Sequence, residues 1–259
     1  MEMETKLVIV ADDSARLADE IAALTRLGRY LLVPRANERL HDTYWDRQDG
    51  RLGAERLALR LRRTGSKTLI TLKGPAKIAA NGAAVRMEIE EAWSPAALAK
   101  VRLLLTDTGL WPAAARDSAF DRDPAASLRQ AGFDVVQDRE TERQPRNVLA
   151  YDDPRRTVVA ELAIDITAFH LAAASIINRE IEVESKGPAG KDAVEAVTLQ
   201  LLTRYPRLLS PSDYSKLAMG KAIEATIDKL LGGDGIAPDG ALTSTGHALV
   251  NKRLRDARP

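Results

Sequence analysis

Polar and apolar residues alternate from the start of the chain. Glu2, Glu4, Lys6 and Val8 share one parity, and Met3, Leu7 and Ile9 share the other. A period of two predicts a strand with one polar and one apolar face. The period then becomes helical. Ser14 can cap a helix that carries Leu17, Ile21, Leu24 and Leu27 on one side and stops at Gly28. From Tyr30 to Glu91 the pattern predicts strands at 29–33, 38–45, 58–63, 68–73 and 85–91. Turn signals separate them at Gln48-Asp49-Gly50, Gly65-Ser66, Gly74-Pro75 and Asn81-Gly82. Ser94-Pro95 opens a second helix to about Asp107, and residues 110–130 show no clear period. Further strands are predicted at 134–143, 148–152, 157–168 and 177–184, followed by a helix at 191–204. Pro206 and Pro211 interrupt the chain, and another helix starts after Ser212. The tail from about Lys221 holds an amphipathic segment, a flexible glycine-rich stretch at 232–240 and a basic terminal helix. Consecutive strands joined by short turns predict antiparallel pairing in an α+β protein.

The charges carried by these strands change the picture. Arg60 and Arg62 oppose Leu59 and Leu61, and Lys67, Thr71 and Lys73 oppose Ile70 and Leu72. Arg86, Glu88 and Glu90 oppose Val85, Met87 and Ile89, while Arg139, Thr141 and Arg143 share a face. Asp165 and Thr167 oppose Ile164 and Ile166. Glu180, Glu182 and Glu184 oppose Ile181 and Val183. A solvated face accounts for one such strand. It accounts poorly for a whole series, because like charges at neighbouring same-face positions repel. Stacked carboxylates also need a cation or a basic strand to compensate them.

An antiparallel sheet curled into a barrel accommodates the pattern, with its polar face inward and its apolar face outward under helices. Small barrels usually fill with apolar side chains. A charged interior must therefore hold water, ions or a charged ligand. The basic set Lys6, Arg60, Arg62, Lys73, Arg86, Arg139 and Arg143 suits an anion with several oxygens, phosphate in particular. The carboxylate set Glu2, Glu4, Glu88, Glu90, Asp165, Glu180 and Glu182 suits hard divalent cations. Together they describe a polyphosphate site.

Composition narrows the rest. The 259 residues include 38 Lys+Arg against 37 Asp+Glu, a net charge of +1, which argues against a dedicated nucleic-acid binder. An apolar content of 45% suffices for a packed core. Cysteine is absent, which excludes disulfides, thiolate metal sites and cysteine nucleophiles and fits a reducing compartment. His41, His170 and His247 lie far apart with no helix-spaced partner, so a local histidine metal motif is excluded. Structural or solvated roles are expected for them. The N-terminus lacks a basic and apolar leader. The most apolar stretch, 162–177, is broken by Asp165 and His170 and is shorter than the ~20 residues of a membrane span. The expectation is a cytoplasmic protein with neither a membrane nor a nucleic-acid partner. Gly65-Ser66-Lys67-Thr68 lacks the upstream glycine of a phosphate loop and reads as a hairpin turn, and the segment 187–192 likewise reads as a turn. Trp45, Trp93 and Trp111 are expected to pack on the outer face. Lys252, Arg253, Arg255 and Arg258 are expected on a solvated helix face.

These residues resemble the CYTH superfamily, the triphosphate tunnel metalloenzymes. Glu2-x-Glu4-x-Lys6 is similar to the family's E-x-E-x-K signature. Asp42-Thr43-Tyr44-Trp45 with Leu59-Arg60-Leu61-Arg62 resembles its Y-x-D-T segment and L-x-L-R-x-R strand. Thr71-Leu72-Lys73-Gly74 resembles its lysine strand, and Arg86-Met87-Glu88-Ile89-Glu90 its first E-x-E strand. Leu162-Ala163-Ile164-Asp165 resembles its aspartate strand, and Glu180-Ile181-Glu182-Val183-Glu184 its second E-x-E strand. Ser215-Lys216 resembles its closing S-K motif. The matches imply a tunnel domain over residues 1–220, built as an eight-stranded barrel with helices outside, and a helical extension over 221–259.

The resemblance implies hydrolysis or cyclisation of a triphosphate with Mg²⁺ or Mn²⁺, two ions per site. It implies Lys6, Glu4 and Asp165 as catalytic groups. Phosphate ligands would be Lys6, Arg60, Arg62, Lys73, Arg86, Lys216 and either Arg139 or Arg143, which share parity. Metal ligands would be Glu2, Glu4, Glu88, Glu90, Asp165 and, of the three glutamates on the last acidic strand, Glu180 and Glu182. No nucleoside-recognition element stands among the motif residues, so the first expectation is an inorganic triphosphatase. An adenylyl cyclase, a nucleoside or thiamine triphosphatase, and a non-catalytic polyphosphate-binding module are the alternatives. The expected partner is a small-molecule triphosphate, bound by a monomer or homodimer.

Overall fold

The computed structural model describes residues 3–78, 84–112, 120–187 and 190–257, with the backbone alone at 75–78 and 84–87. Its elements, in chain order, begin with β1 (Glu4–Ile9), α1 (Ser14–Ala22), β2 (Arg26–Leu27), β3 (Tyr30–Pro34) and β4 (Glu38–Asp46). There follow α2 (Arg51–Ala54), β5 (Ala58–Thr64), β6 (Lys67–Ile78), β7 (Ala84–Ala92), α3 (Pro95–Asp107) and α4 (Pro124–Gln130). The remainder is β8 (Asp134–Ala150), β9 (Val158–His170), β10 (Ser175–Ser185), α5 (Gly190–Arg204), β11 (Leu209–Pro211), α6 (Lys216–Glu224), α7 (Ile227–Leu231) and α8 (Ser244–Asp256). The chain divides into two compact units, one made of Met1–Arg39 with Glu140–Pro259, the other of Leu40–Arg139.

In the first unit the strand order is β11-β1-β10-β9-β8, and β3 also pairs with β8. The pairings of β1 with β10 and β11, of β10 with β9 and of β3 with β8 are antiparallel. The register sets Lys6 opposite Glu182, Val8 opposite Glu180, and Glu180 opposite Asp165. Period-two alternation then sorts the faces. Leu7, Ile9, Leu162, Ile164, Ile181 and Val183 turn to one side and are buried under Leu17 and Ile21 of α1 and Val194, Val197 and Leu201 of α5. The other side carries Lys6, Asp165, Glu180 and Glu182. Beyond them that side becomes apolar at Val8, Phe169 and Ile176. There it is covered by Met219 and Ile223 of α6, Leu230 of α7, and Val250 and Leu254 of α8. The C-terminal extension is thus packed onto the first unit.

In the second unit the start of β8 neighbours β4, followed by β5, β6 and β7. Leu59, Leu61, Ile70 and Leu72 pack with Trp45, Trp111, Val101 and Leu105 of α3, and Leu128 of α4. The two tryptophans are core residues, as expected, and Trp93 stacks on Phe120 at 5.4 Å between ring centroids.

Several predicted elements differ. The first helix stops at Ala22 instead of Gly28, and Asp13, not Ser14, is its cap, accepting from the Arg16 N–H. Leu27 is buried in the same core through β2, and Gly28 turns the β2–β3 hairpin at φ +54°. The strands predicted at 134–143 and 148–152 are one strand. Pro145 lacks a donor but keeps its carbonyl in the ladder, accepting from the Arg35 N–H at 2.9 Å. Gly74-Pro75 is no turn: β6 runs through it with a register shift between Lys73 and Ala76. Helix α5 begins at Gly190, so Lys191 and Asp192 lie in its first turn and not in a loop. Helix α4 in the region without a period, the short α2 and strand β11 were not predicted. The turn expected at Asn81-Gly82 lies outside the described residues.

Candidate functional site

Each unit carries its own polar cluster. In the first, β9 and β10 bring Asp165, Glu180 and Glu182 together, with carboxylate oxygens within 4.8 Å of one another. Lys216, the first residue of α6, reaches all three. Its Nζ lies 2.9 Å from Asp165 Oδ2 and 2.6 Å from Glu182 Oε1, and it touches Glu180 Oε1. The Glu180 contact is an ion pair off the line of a hydrogen bond. Ser215 fixes where α6 begins, because its hydroxyl accepts from the Ala218 N–H. Arg143 of β8 forks onto Asp165 and also contacts Glu182. Lys6 of β1 lies 3.8 Å from Glu182 and 3.4 Å from Glu4.

Burial pushes Asp165 and Glu182 up, but Lys216 and Arg143 outweigh it, and both carboxyls sit below their ordinary values. Glu180 is fully enclosed, and there burial prevails and raises its carboxyl despite Lys216. Burial works against the charged forms of Lys216 and Arg143, yet the surrounding carboxylates raise both above their usual range. Asp165, Glu182, Lys216 and Arg143 are thus held in their charged forms, as hydrogen-bonded buried ion pairs require.

In the second unit the centre is Asp42, which sequence reasoning quoted in a motif but did not place in the site. Arg62 forks onto it at 2.7 and 2.8 Å, Arg139 donates at 3.0 Å, and Arg60 stands 3.8 Å away. Burial raises Asp42, but the three guanidinium groups overcome this and hold it well below the carboxylate range. Tyr44 accepts from Arg139 at 2.9 Å, while Arg60 also donates to Glu90 at 2.7 Å and to Thr71 at 3.1 Å. Lys73 pairs with Glu88 at 2.7 Å. Three guanidinium groups around one carboxylate leave positive charge for an anion. Among the described residues, the buried Nε groups of Arg60 and Arg139 have no hydrogen-bond partner. The signal available in the sequence was Asp42 on the same strand face as Tyr44, opposite Arg62 and Arg60 in the hairpin register.

The structure therefore separates Arg139 and Arg143: the first serves Asp42, the second Asp165. Glu4 is half exposed, opposite Glu184 in the ladder, and is not part of the three-carboxylate group. Glu184 pairs with Lys186. Glu2 lies outside the described residues, and Arg86 is described by its backbone position, opposite Ala76. Of the histidines, His41 lies 2.7 Å from Asp138, His170 is exposed, and His247 is buried.

The chain belongs to the CYTH domain family, which matches residues 1–213. No curated protein matches the sequence. Among solved structures, the chain is similar to a Hippeastrum protein named as an adenylyl cyclase and described as having a dominant triphosphatase activity. The identity is 20% over 86% of this chain and 96% of that one, with a TM-score of 0.49. It is also similar to a Bacillus halodurans protein named as an adenylate cyclase, at 17% identity over 83% and 95% of the two chains and a TM-score of 0.47. A Pyrococcus horikoshii protein matches at 18% identity over 88% and 99%, with a TM-score of 0.41. Among the described residues no helix is long and apolar enough to cross a membrane.

Proposed function

We propose that this protein hydrolyses inorganic triphosphate to pyrophosphate and phosphate with Mg²⁺ or Mn²⁺, in the cytoplasm and without a macromolecular partner. The observation that carries the reading is the group Asp165, Glu180 and Glu182, flanked by Lys6, Arg143 and Lys216. The donor set fits a hard divalent ion. It is all oxygen, and the 4.8 Å spread is close to what two oxygens span across one ion at about 2.1–2.4 Å each. When bound, such an ion draws charge from phosphate oxygens and lowers the barrier to attack by water. Asp165 and Glu182, held ionised by Lys216 and Arg143, would be its ligands. Lys6, Arg143 and Lys216, in the same unit as these carboxylates, would bind phosphate oxygens and stabilise charge on the leaving pyrophosphate. No protein nucleophile is required, because water attacks the terminal phosphorus and the bond to the bridging oxygen breaks.

The test is product analysis after incubation with tripolyphosphate and either ion. Equimolar phosphate and pyrophosphate are expected. No release at neutral to alkaline pH overturns the reading. Cyclic AMP formed from ATP would replace it with a cyclase, and ADP with a nucleoside triphosphatase.

A further inference from the structure

Lys216 stands where a cation belongs. Its ammonium makes close contact with the same three carboxylates that form the candidate metal group. Arg143 engages two of them and Lys6 approaches Glu182. The cluster thus sets three carboxyl groups against three basic groups, so no negative charge in it is left without a partner. It is also enclosed, with Asp165 at 0% and Glu180 at 2% exposure. A divalent cation entering it would leave an uncompensated double charge in a region of low dielectric, which is strongly unfavourable. It would also have to share carboxylate oxygens that Lys216 and Arg143 already occupy. A polyanion removes both obstacles. It offers Lys216 and Arg143 alternative oxygens and brings the negative charge that the metal needs. The Lys216 backbone is held at the start of α6, which packs through Met219 and Ile223 on Val8 and Phe169, so only its flexible stem has to move.

We propose that Lys216 is an internal counter-ion that competes with the divalent cation for Asp165, Glu180 and Glu182. The polyanion-free protein then binds metal weakly, and triphosphate and metal load together. The inference rests on the triphosphatase reading only for the identity of the polyanion.

The experiment follows free Mn²⁺ by electron paramagnetic resonance during titration into wild-type protein, K216M and K216R, without polyphosphate. Folding is monitored by circular dichroism. The K216M variant should bind Mn²⁺ about tenfold or more tightly than wild type, since it removes a unit charge at contact distance. The K216R variant, which keeps the charge, should remain as weak as wild type. Equal or weaker Mn²⁺ binding by folded K216M overturns the proposal. If K216M does not fold, K216Q takes its place, because its amide still donates to the carboxylates, and the same comparison decides. A protein that shows the Lys216-dependent change but releases phosphate from no triphosphate keeps this inference and loses the catalytic reading.

Discussion

Arg143 holds Asp165 in a two-point fork, with Nε 2.8 Å from Oδ1 and Nη2 2.6 Å from Oδ2. Lysine cannot reproduce that geometry. R143K should therefore lower triphosphate turnover by about tenfold to a hundredfold while keeping the charge, and should lower stability by about 1–3 kcal/mol. R143A leaves a buried carboxylate short of a partner and should lose about 3–5 kcal/mol. Thermal melts and phosphate release measure both. Wild-type turnover by R143K would refute the role given to the fork.

Asp42 is the hub of the second unit's cluster. D42N retains volume but removes the charge that Arg62, Arg139 and Arg60 share. Because Arg139 is 2% exposed, its guanidinium would be left buried and under-compensated. A loss of about 3 kcal/mol or more in urea denaturation is expected. An unchanged midpoint would show that the arginines find other partners.

His247 makes stability depend on pH. Burial pushes the ring down from 6.5 to about 4, only partly offset by its hydrogen bond to the Ile9 backbone and by Asp12. The folded protein keeps the ring neutral, whereas the unfolded chain takes up a proton below 6.5. The stabilisation is complete above pH 6.5 and declines by about 3 kcal/mol as pH falls towards 4. Asp42 and Glu182 add to the loss further down, since both are depressed in the fold from ordinary values of 3.8 and 4.5. Urea midpoints at pH 7, 5.5 and 4 should fall for wild type and fall less for H247Q. Parallel curves would exclude His247 as the source.

Two glycines in the C-terminal extension should respond differently to alanine. A Cβ on Gly246 would lie 2.1 Å from the Gly235 carbonyl oxygen, whereas one on Gly233 would meet the Lys229 carbonyl oxygen at an ordinary 3.6 Å. G246A should loosen α8 and cost about 2–4 kcal/mol, with G233A within about 1 kcal/mol of wild type. Melting temperatures compare the two. Similar losses would mean that the extension contributes nothing specific through that close approach.

The strands and the sorting of their charges were legible because period two survives in a chain whose two strand faces differ so sharply. The helix at Ser94-Pro95 was legible from its cap and ends at Asp107 as predicted. Leu24 and Leu27 misled, because their helical spacing is also met by a partly buried loop residue and a short strand. Helix α4 escaped since Leu128 is its main buried apolar side chain amid Ala, Ser and Arg. Parity could not separate Arg139 from Arg143, and it could not show Asp42 as a hub. Both depend on which strand lies alongside, and such register is a long-range property.

The order of the chain has a kinetic consequence. Leu40–Arg139 is one uninterrupted stretch, whereas the first unit needs β1 to lie between β10 and β11, whose residues come after 174. Closing so long a loop is slow. The middle of the chain can condense while its N-terminal strand still waits, during synthesis, for its neighbours to be made. Refolding should then show an early phase reported by Trp45 and Trp111, and a later one in which Lys6 and Glu182 first meet.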